Sequence, residues 1–379
     1  MKEQVNIPDP NRFPGRHLFR VFGIAISVRQ IVLGLLAIYV MSLGKWLGET
    51  VTVTTKRNAI SVLRNADSNP ALVDLVLSSQ ISRDQAESAA AFMSSTARPW
   101  FDLVASAFDS VRTNNSPLGR TRALFDVLWS GVFSTFFGLA ICRQAAIQFA
   151  RNESGSFRQI TEFGLSRWSR GLVCPLIPLM GAAAMLLTIS VIALPGRVPI
   201  LGQTWLWCAS PLFLTCGIAI TILLLAAAVG WPLMIAAIAS DDCDGFSGLS
   251  RSYSLWTGRP FQAVSLATVA LAIGSGVHFI ATLVLHGTVD MTVLFVKFGA
   301  GAGTSIERIA ADYHRFVENL VGGLGISLFW TSATIIYLVL RQSVDLMPLE
   351  QIAPSDAERP VRDPLPVVGM PAVDVDPEK

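Results

Sequence analysis

The sequence predicts an all-α protein: a polytopic transmembrane helical bundle of about six spans with a small helical external loop domain. Three observations predict it. Apolar residues make up 52% of the 379-residue chain and charged residues only 15%, against about 25% charged in soluble domains. The mean hydropathy is +0.52. Six stretches approach the roughly 20 apolar residues that cross a hydrocarbon core of about 30 Å as a helix. Lipid offers no partner to a free backbone group, so such stretches must be helical.

The elements follow in order. Residues 1–29 form a polar segment read as cytoplasmic. No small-residue cleavage site follows the first apolar run, so that run is read as a retained anchor. Span one covers 30–48, with Arg29 and Lys45 placed to reach opposite interfaces. Residues 49–121 form an extracytoplasmic loop predicted to be helical. Ser82 with Gln85 makes a capping box, and Trp100, Leu103, Val104 and Phe108 share one face after Pro99. A loop of about 70 residues is marginal for a core of its own, so it is expected to rest on the membrane domain.

The five-span membrane domain occupies 122–347. Span two runs from about Ala123 to Cys142 and carries Asp126 near its start. Span three, Gly171 to Leu194, holds Pro175 and Pro178. Span four, about Pro211 to Ala239, holds Trp231 and Pro232. Span five runs from about Phe261 to Leu285, and span six from Leu320 to Leu340 ends against Arg341. Gly299, Gly301 and Gly303 form a flexible stretch between the last two. A helix follows with Ile306, Ile309, Tyr313 and Phe316 on one side, expected on the outer surface or as a partial cover over the bundle. Residues 348–379 are rich in Pro, Asp and Glu and read as a disordered cytoplasmic tail.

Cations set the orientation. Lys2, Arg12, Arg16, Arg20 and Arg29 precede span one, and Arg143, Arg151, Arg158, Arg167 and Arg170 lie between spans two and three. The connection between spans three and four carries Arg197 alone. Both termini are therefore expected in the cytoplasm.

Two connections look alike. Ala150 and Ala239, Phe157 and Phe246, Ile160 and Leu249, and Arg170 and Arg259 fall at one common offset. The same offset lays span two on span four and span three on span five, a parallel repeat of 123–194 and 212–285. Each connection opens with an acidic Ser- and Gly-containing turn suited to a helix N-terminus. An apolar stripe then follows: Phe157, Ile160, Gly164 and Trp168 in one copy, Phe246, Leu249, Tyr253 and Trp256 in the other. Aromatic-rich stripes at this spacing read as interfacial helices beside a span.

The stretch Trp231 to Met234, Asp244 to Ser254 with Gly258–Pro260, the N-terminal Phe19 to Gln30, Phe157 to Pro178 and Tyr337 to Asp345 resemble an uncharacterised family of bacterial multipass membrane proteins. The resemblance covers most of the membrane part and is poor in the external loop. More distantly, the acidic turn, the Leu-Ser-Arg-Ser helix and the Gly-Arg pattern are similar to the membrane domain of bacterial glycerophosphodiester phosphodiesterases. The resemblance implies a helical bundle in the bacterial cytoplasmic (inner) membrane, and carries over no activity and no site residue.

Catalytic patterns are missing. The histidines His17, His278, His286 and His314 make no H-E-x-x-H helix, and no Gly-Lys-Ser/Thr loop occurs. Gly245-Phe-Ser247-Gly lacks the full nucleophile elbow. The five cysteines, Cys142, Cys174, Cys208, Cys216 and Cys243, contain no C-x-x-C pair and read as small apolar fillers. No catalytic residue, cofactor or metal site is expected, and a net charge of +2 points to no nucleic-acid partner. Asp126 and His278 are the candidate intramembrane polar residues, since ionisable groups in lipid are costly and often functional. Asp126 also stands one turn from Arg122, which fits an interfacial pair. The expected role is a non-enzymatic scaffold or interaction protein, in contact with the bilayer and with a protein partner through the tail or the external loop. A small-molecule or lipid permease using Asp126 and His278 is the alternative. A lipid enzyme using Asp241, Asp242 and Asp244 ranks third, because their spacing suits a helix N-terminus better than a metal.

Overall fold

A computed structural model describes residues 18–63, 117–198, 201–300 and 304–353. These form eight α-helices and a short 3-10 turn, without strands among the described residues. The helices are α1 (Phe19–Ala25), α2 (Val28–Leu63), α3 (Pro117–Arg151), α4 (Phe157–Ala193), α5 (Leu201–Asp241), α6 (Gly245–Gly258), α7 (Pro260–Ala300) and α8 (Thr304–Asp345). Six of them, all but α1 and α6, are long and apolar enough to cross a membrane. The Ser82–Gln85 cap and the Trp100 helix lie outside the described residues.

The last helix is the centre. α8 packs on α2, α3, α5, α7 and α1, and its run from Ile326 to Leu340 is almost wholly buried. Some buried polar groups in this interior tie helices together. Gln30 Nε2 donates to the Ile141 carbonyl at 3.1 Å, and Ser327 Oγ to the Ala25 carbonyl at 2.9 Å. Backbones approach most closely where α2 crosses α8. A Cβ on Gly34 would stand 2.1 Å from the Gly323 carbonyl oxygen, so only hydrogen fits there.

Polar residues mark two levels. On α8 the apolar stretch lies between Glu318 and Arg341, about 34 Å apart at a rise of about 1.5 Å per residue. On α3 it lies between Arg122 and Arg143, about 31 Å apart. Both match a hydrocarbon core of about 30 Å. We call the end with Arg341 and the α3–α4 turn the near end, and the other the far end.

Several expected boundaries differ. Phe157 to Trp168 is no separate interfacial helix. It is the start of α4, a single helix of 37 residues entered through a capping box between Ser156 and Gln159. Pro175 and Pro178 lie inside it without ending it. The second copy does break: Asp244 stands at the N-cap position of a distinct α6, and Pro260 opens α7. The helix after the Gly-rich stretch neither lies on the surface nor ends before span six. It is the first part of α8, a helix of 42 residues. Residues 346–353, expected to belong largely to the structureless tail, instead fold back onto the near end, where Ala353 N donates to the Ser240 carbonyl at 2.8 Å. Helix α1 was not anticipated, and the helical 49–63 part of the loop is continuous with span one in α2.

Candidate functional site

The near end is closed by an ion-pair network built on the last residues of α5. Asp241 ends the helix, and Asp242 turns the chain in the left-handed region at φ 50°. Aspartate tolerates that conformation better than most residues do. This turn aims two adjacent carboxylates in different directions. Asp241 Oδ2 accepts from the Tyr337 hydroxyl at 2.6 Å and from Arg251 of α6, and its Oδ1 accepts from Arg341 of α8. Asp242 receives a two-pronged contact from Arg167 of α4, Nε to Oδ1 at 2.6 Å and a terminal nitrogen to Oδ2 at 3.0 Å. Arg170 adds a third donor at 3.0 Å. The two carboxylates are 8% exposed, and Arg167 and Arg341 are 7% and 2% exposed in their side chains. Four helices thus meet on two acids.

The segment 346–353 straps this network. Arg143 of α3, also buried, donates to the Ala239 carbonyl at 3.0 Å and to the Ala353 carbonyl at 2.9 Å. Arg341 donates to the Gln351 carbonyl, and Ile352 is buried. Phe163 stands beneath two guanidinium groups, Arg143 at 4.9 Å and Arg167 at 4.5 Å from its ring centre.

Each carboxylate accepts at least three hydrogen bonds, which leaves at most one of its roughly four acceptor sites for another partner. Asp244, the third acid of the run, lies apart as the residue before α6. The Ser247 hydroxyl holds its carboxyl below the usual range. Burial pushes the Cys243 thiol up to about 11, so it remains protonated and poorly nucleophilic at neutral pH. Among the described residues, no group of three or more His, Cys, Asp or Glu side chains is arranged to hold a metal ion.

The sequence-predicted site residues do not assemble. Asp126 sits near the far level with Arg122 Nε 3.8 Å away, beside Gly48 of α2. His278 is half-buried on α7, about one turn inside the far level. Ile160 and Leu249 are buried in the core. Phe157, Trp168 and Phe246 are exposed, while Tyr253 and Trp256 are half-buried. The buried face of α4 instead runs through Ile160, Phe163, Gly164, Arg167 and Gly171.

The far end has a different character. Past the level of Glu318, α4 with α5 and α7 with α8 continue as two helix pairs for about another 20 Å. Their surfaces remain apolar. Phe295 is 70% exposed and Phe298 92% exposed on α7, and Trp207 is 75% exposed on α5. A small cluster of Val289, Val317 and Val321 holds the α7–α8 pair together, apart from the main core. No protein-family model, no curated protein and no solved structure matches the chain.

Proposed function

We propose that the chain is a non-enzymatic scaffold or interaction protein of the bacterial cytoplasmic membrane, with the near end and both termini in the cytoplasm. It engages a protein partner of apolar surface through the two arms at its far end. The observation that carries this reading is the exposed apolar surface of α5 and α7 beyond the level where α3 and α8 turn polar. Large apolar patches exposed to water are unfavourable and mark interaction surfaces. The arginine-rich near end supports the orientation, and the resemblance to bacterial multipass proteins supports the membrane assignment.

The competing roles find less support. An enzyme acting through Asp241 and Asp242 meets carboxylates that each already accept at least three hydrogen bonds. A permease acting through Asp126 and His278 would rely on groups from two helices, one of them beside an arginine at the far rim.

Photocrosslinking in intact cells tests the proposal. A photoreactive residue at Trp207, Phe295 or Phe298 is expected to capture protein. One at Leu225, exposed on α5 at mid-depth, is expected to capture lipid only. Lipid adducts alone at all four positions would overturn the reading. A reporter that works only outside the cytoplasm, active when fused after residue 379, would overturn the orientation.

A further inference from the structure

The arm formed by α7 and α8 is held at its base by the small valine cluster and, beside it, by two histidines that the scaffold reading does not use. His286 Nδ1 and His314 Nδ1 lie 3.3 Å apart, a direct imidazole–imidazole hydrogen bond. His314 Nε2 lies 3.2 Å from Asp290 Oδ1. His286 and Asp290 are one turn apart on α7, and the His314 ring bridges them from α8. Both rings are half-buried. Outward from them, none of residues 291–299 of α7 and 306–313 of α8 is buried. The pair therefore stands where the packed base of the arm gives way to its exposed tip.

These contacts fix where the protons sit. An ionised carboxylate only accepts, so His314 Nε2 carries the proton that faces Asp290. One proton lies between the two Nδ1 atoms, because two lone pairs or two N–H groups would repel. In the neutral pair His286 is the donor and His314 Nδ1 the acceptor. One added proton leaves the contact intact: one ring becomes an imidazolium, and a single N–H still faces a lone pair. A second added proton does not. It puts an N–H and a positive charge on both rings across the same 3.3 Å. The two protonations therefore belong to the pair rather than to either ring. Asp290 faces the outer nitrogen of His314 and cannot screen the inner ones. The other charged groups near this level are Glu318, one turn from His314 on α8, Arg315 with Asp312 at 3.9 Å, and Lys45 on α2, which also packs on α8. Their charges cancel, and none fits between the paired nitrogens.

We infer that His286 and His314 form an acid-released latch at the base of the α7–α8 arm, closed while the pair holds at most one added proton and opened by the second. The separated rings bind two added protons and the paired rings at most one. Acid therefore favours separation, and rising pH restores the closed pair. Imidazoles as a class titrate between about pH 5 and 8, which sets the window of the response. Release removes the polar tie between α7 and α8 and loosens the tip that carries Phe295 and Phe298. The latch goes beyond the scaffold reading and stands whether or not the arm docks a partner.

Hydrogen–deuterium exchange of the full-length, detergent-purified protein tests it, read by mass spectrometry as protection relative to the unstructured rate at each pH. Between about pH 7.5 and about pH 5, the amides of residues 291–299 and 306–313 should lose protection about fivefold, the order of one hydrogen bond. The amides of residues 266–277, nearer the other end of α7, should keep theirs. His286→Gln and His314→Gln should each abolish the step, and His278→Gln should retain it. The step is read first on the unaltered chain, so a misfolded variant cannot hide its absence. No step in the unaltered chain, a step spread equally over 266–277, one that persists in both glutamine variants of the pair, or one lost in His278→Gln would each overturn the latch.

Discussion

Asp241 joins residues that are far apart in the sequence, with Tyr337 96 positions away and Arg341 100 positions away. Taking one partner from a buried pair leaves the other charged and unsatisfied, which costs about 3–5 kcal/mol. Asp241→Ala should therefore lower the thermal unfolding midpoint in detergent sharply. Asp241→Ala combined with Arg341→Met should recover part of the loss. A midpoint equal to wild type in the single variant would show that the network contributes nothing to stability. At this scale the sequence was informative about composition and silent about pairing. The run Asp241-Asp242-Cys243-Asp244 reads as an acidic helix start. Only Asp244 precedes the following helix, because the left-handed turn at Asp242 sends its two neighbours to different places. The arginines that receive them come from three other helices, and no local pattern encodes that. The histidine pair was illegible for the same reason: His286 and His314 are 28 residues apart on helices whose register only packing fixes.

Among the elements, the spans were legible because roughly 20 apolar residues in a row leave few alternatives. Their ends were less so. An amphipathic stripe such as Phe157, Ile160 and Trp168 looks the same whether it begins a span or lies beside one, and the residue that decides is the connector. Arg170-Gly171-Leu172 continues α4 into the membrane, whereas Gly258-Arg259-Pro260 breaks α6 from α7, since proline disfavours helix in the residue before it. Small residues in spans three to five point to close helix packing, but the tightest crossing is Gly34 on Gly323, between the first span and the last. Gly34→Val should drive α2 from α8 and cost about 1–3 kcal/mol through overpacking. Gly276→Ala, whose Cβ meets nothing within 4 Å, should be neutral or slightly stabilising, since alanine is the better helix former. Thermal unfolding of the two variants side by side checks the contrast, and equal midpoints would count against the crossing.

For the whole molecule, the number and order of spans followed from hydropathy, while the two-ended character did not. Composition shows an apolar chain. It does not show that α3 and α8 carry polar residues at matched depths while α5 and α7 run on beyond them. That asymmetry emerges only when the helices are set side by side. The near end is ordered by charge and then strapped by 346–353. A chain ending at Ala353 keeps the Gln351 and Ala353 carbonyls that accept from Arg341 and Arg143, and should melt as the full chain does. A chain ending at Met347 should unfold at a lower temperature, with Arg143 and Arg341 deprived of the Ala353 and Gln351 carbonyls. Loss of a buried charged donor's partner costs about 1–3 kcal/mol. Equal melting of the two truncations would remove the strap from the stability account.

The separation of Asp241 from Arg341 also sets a clock for biogenesis. A ribosome adding about 5–20 residues per second needs roughly 5–20 seconds to deliver Arg341 after Asp241. When Asp241 is made only the first four spans precede it, the fifth is synthesised during the interval, and a principal counter-charge of Asp241 is still missing. Until α8 arrives to claim it, the half-made protein must shelter that acid by other means: with Arg251, only 10 residues on, at the lipid headgroups or beside an insertion factor.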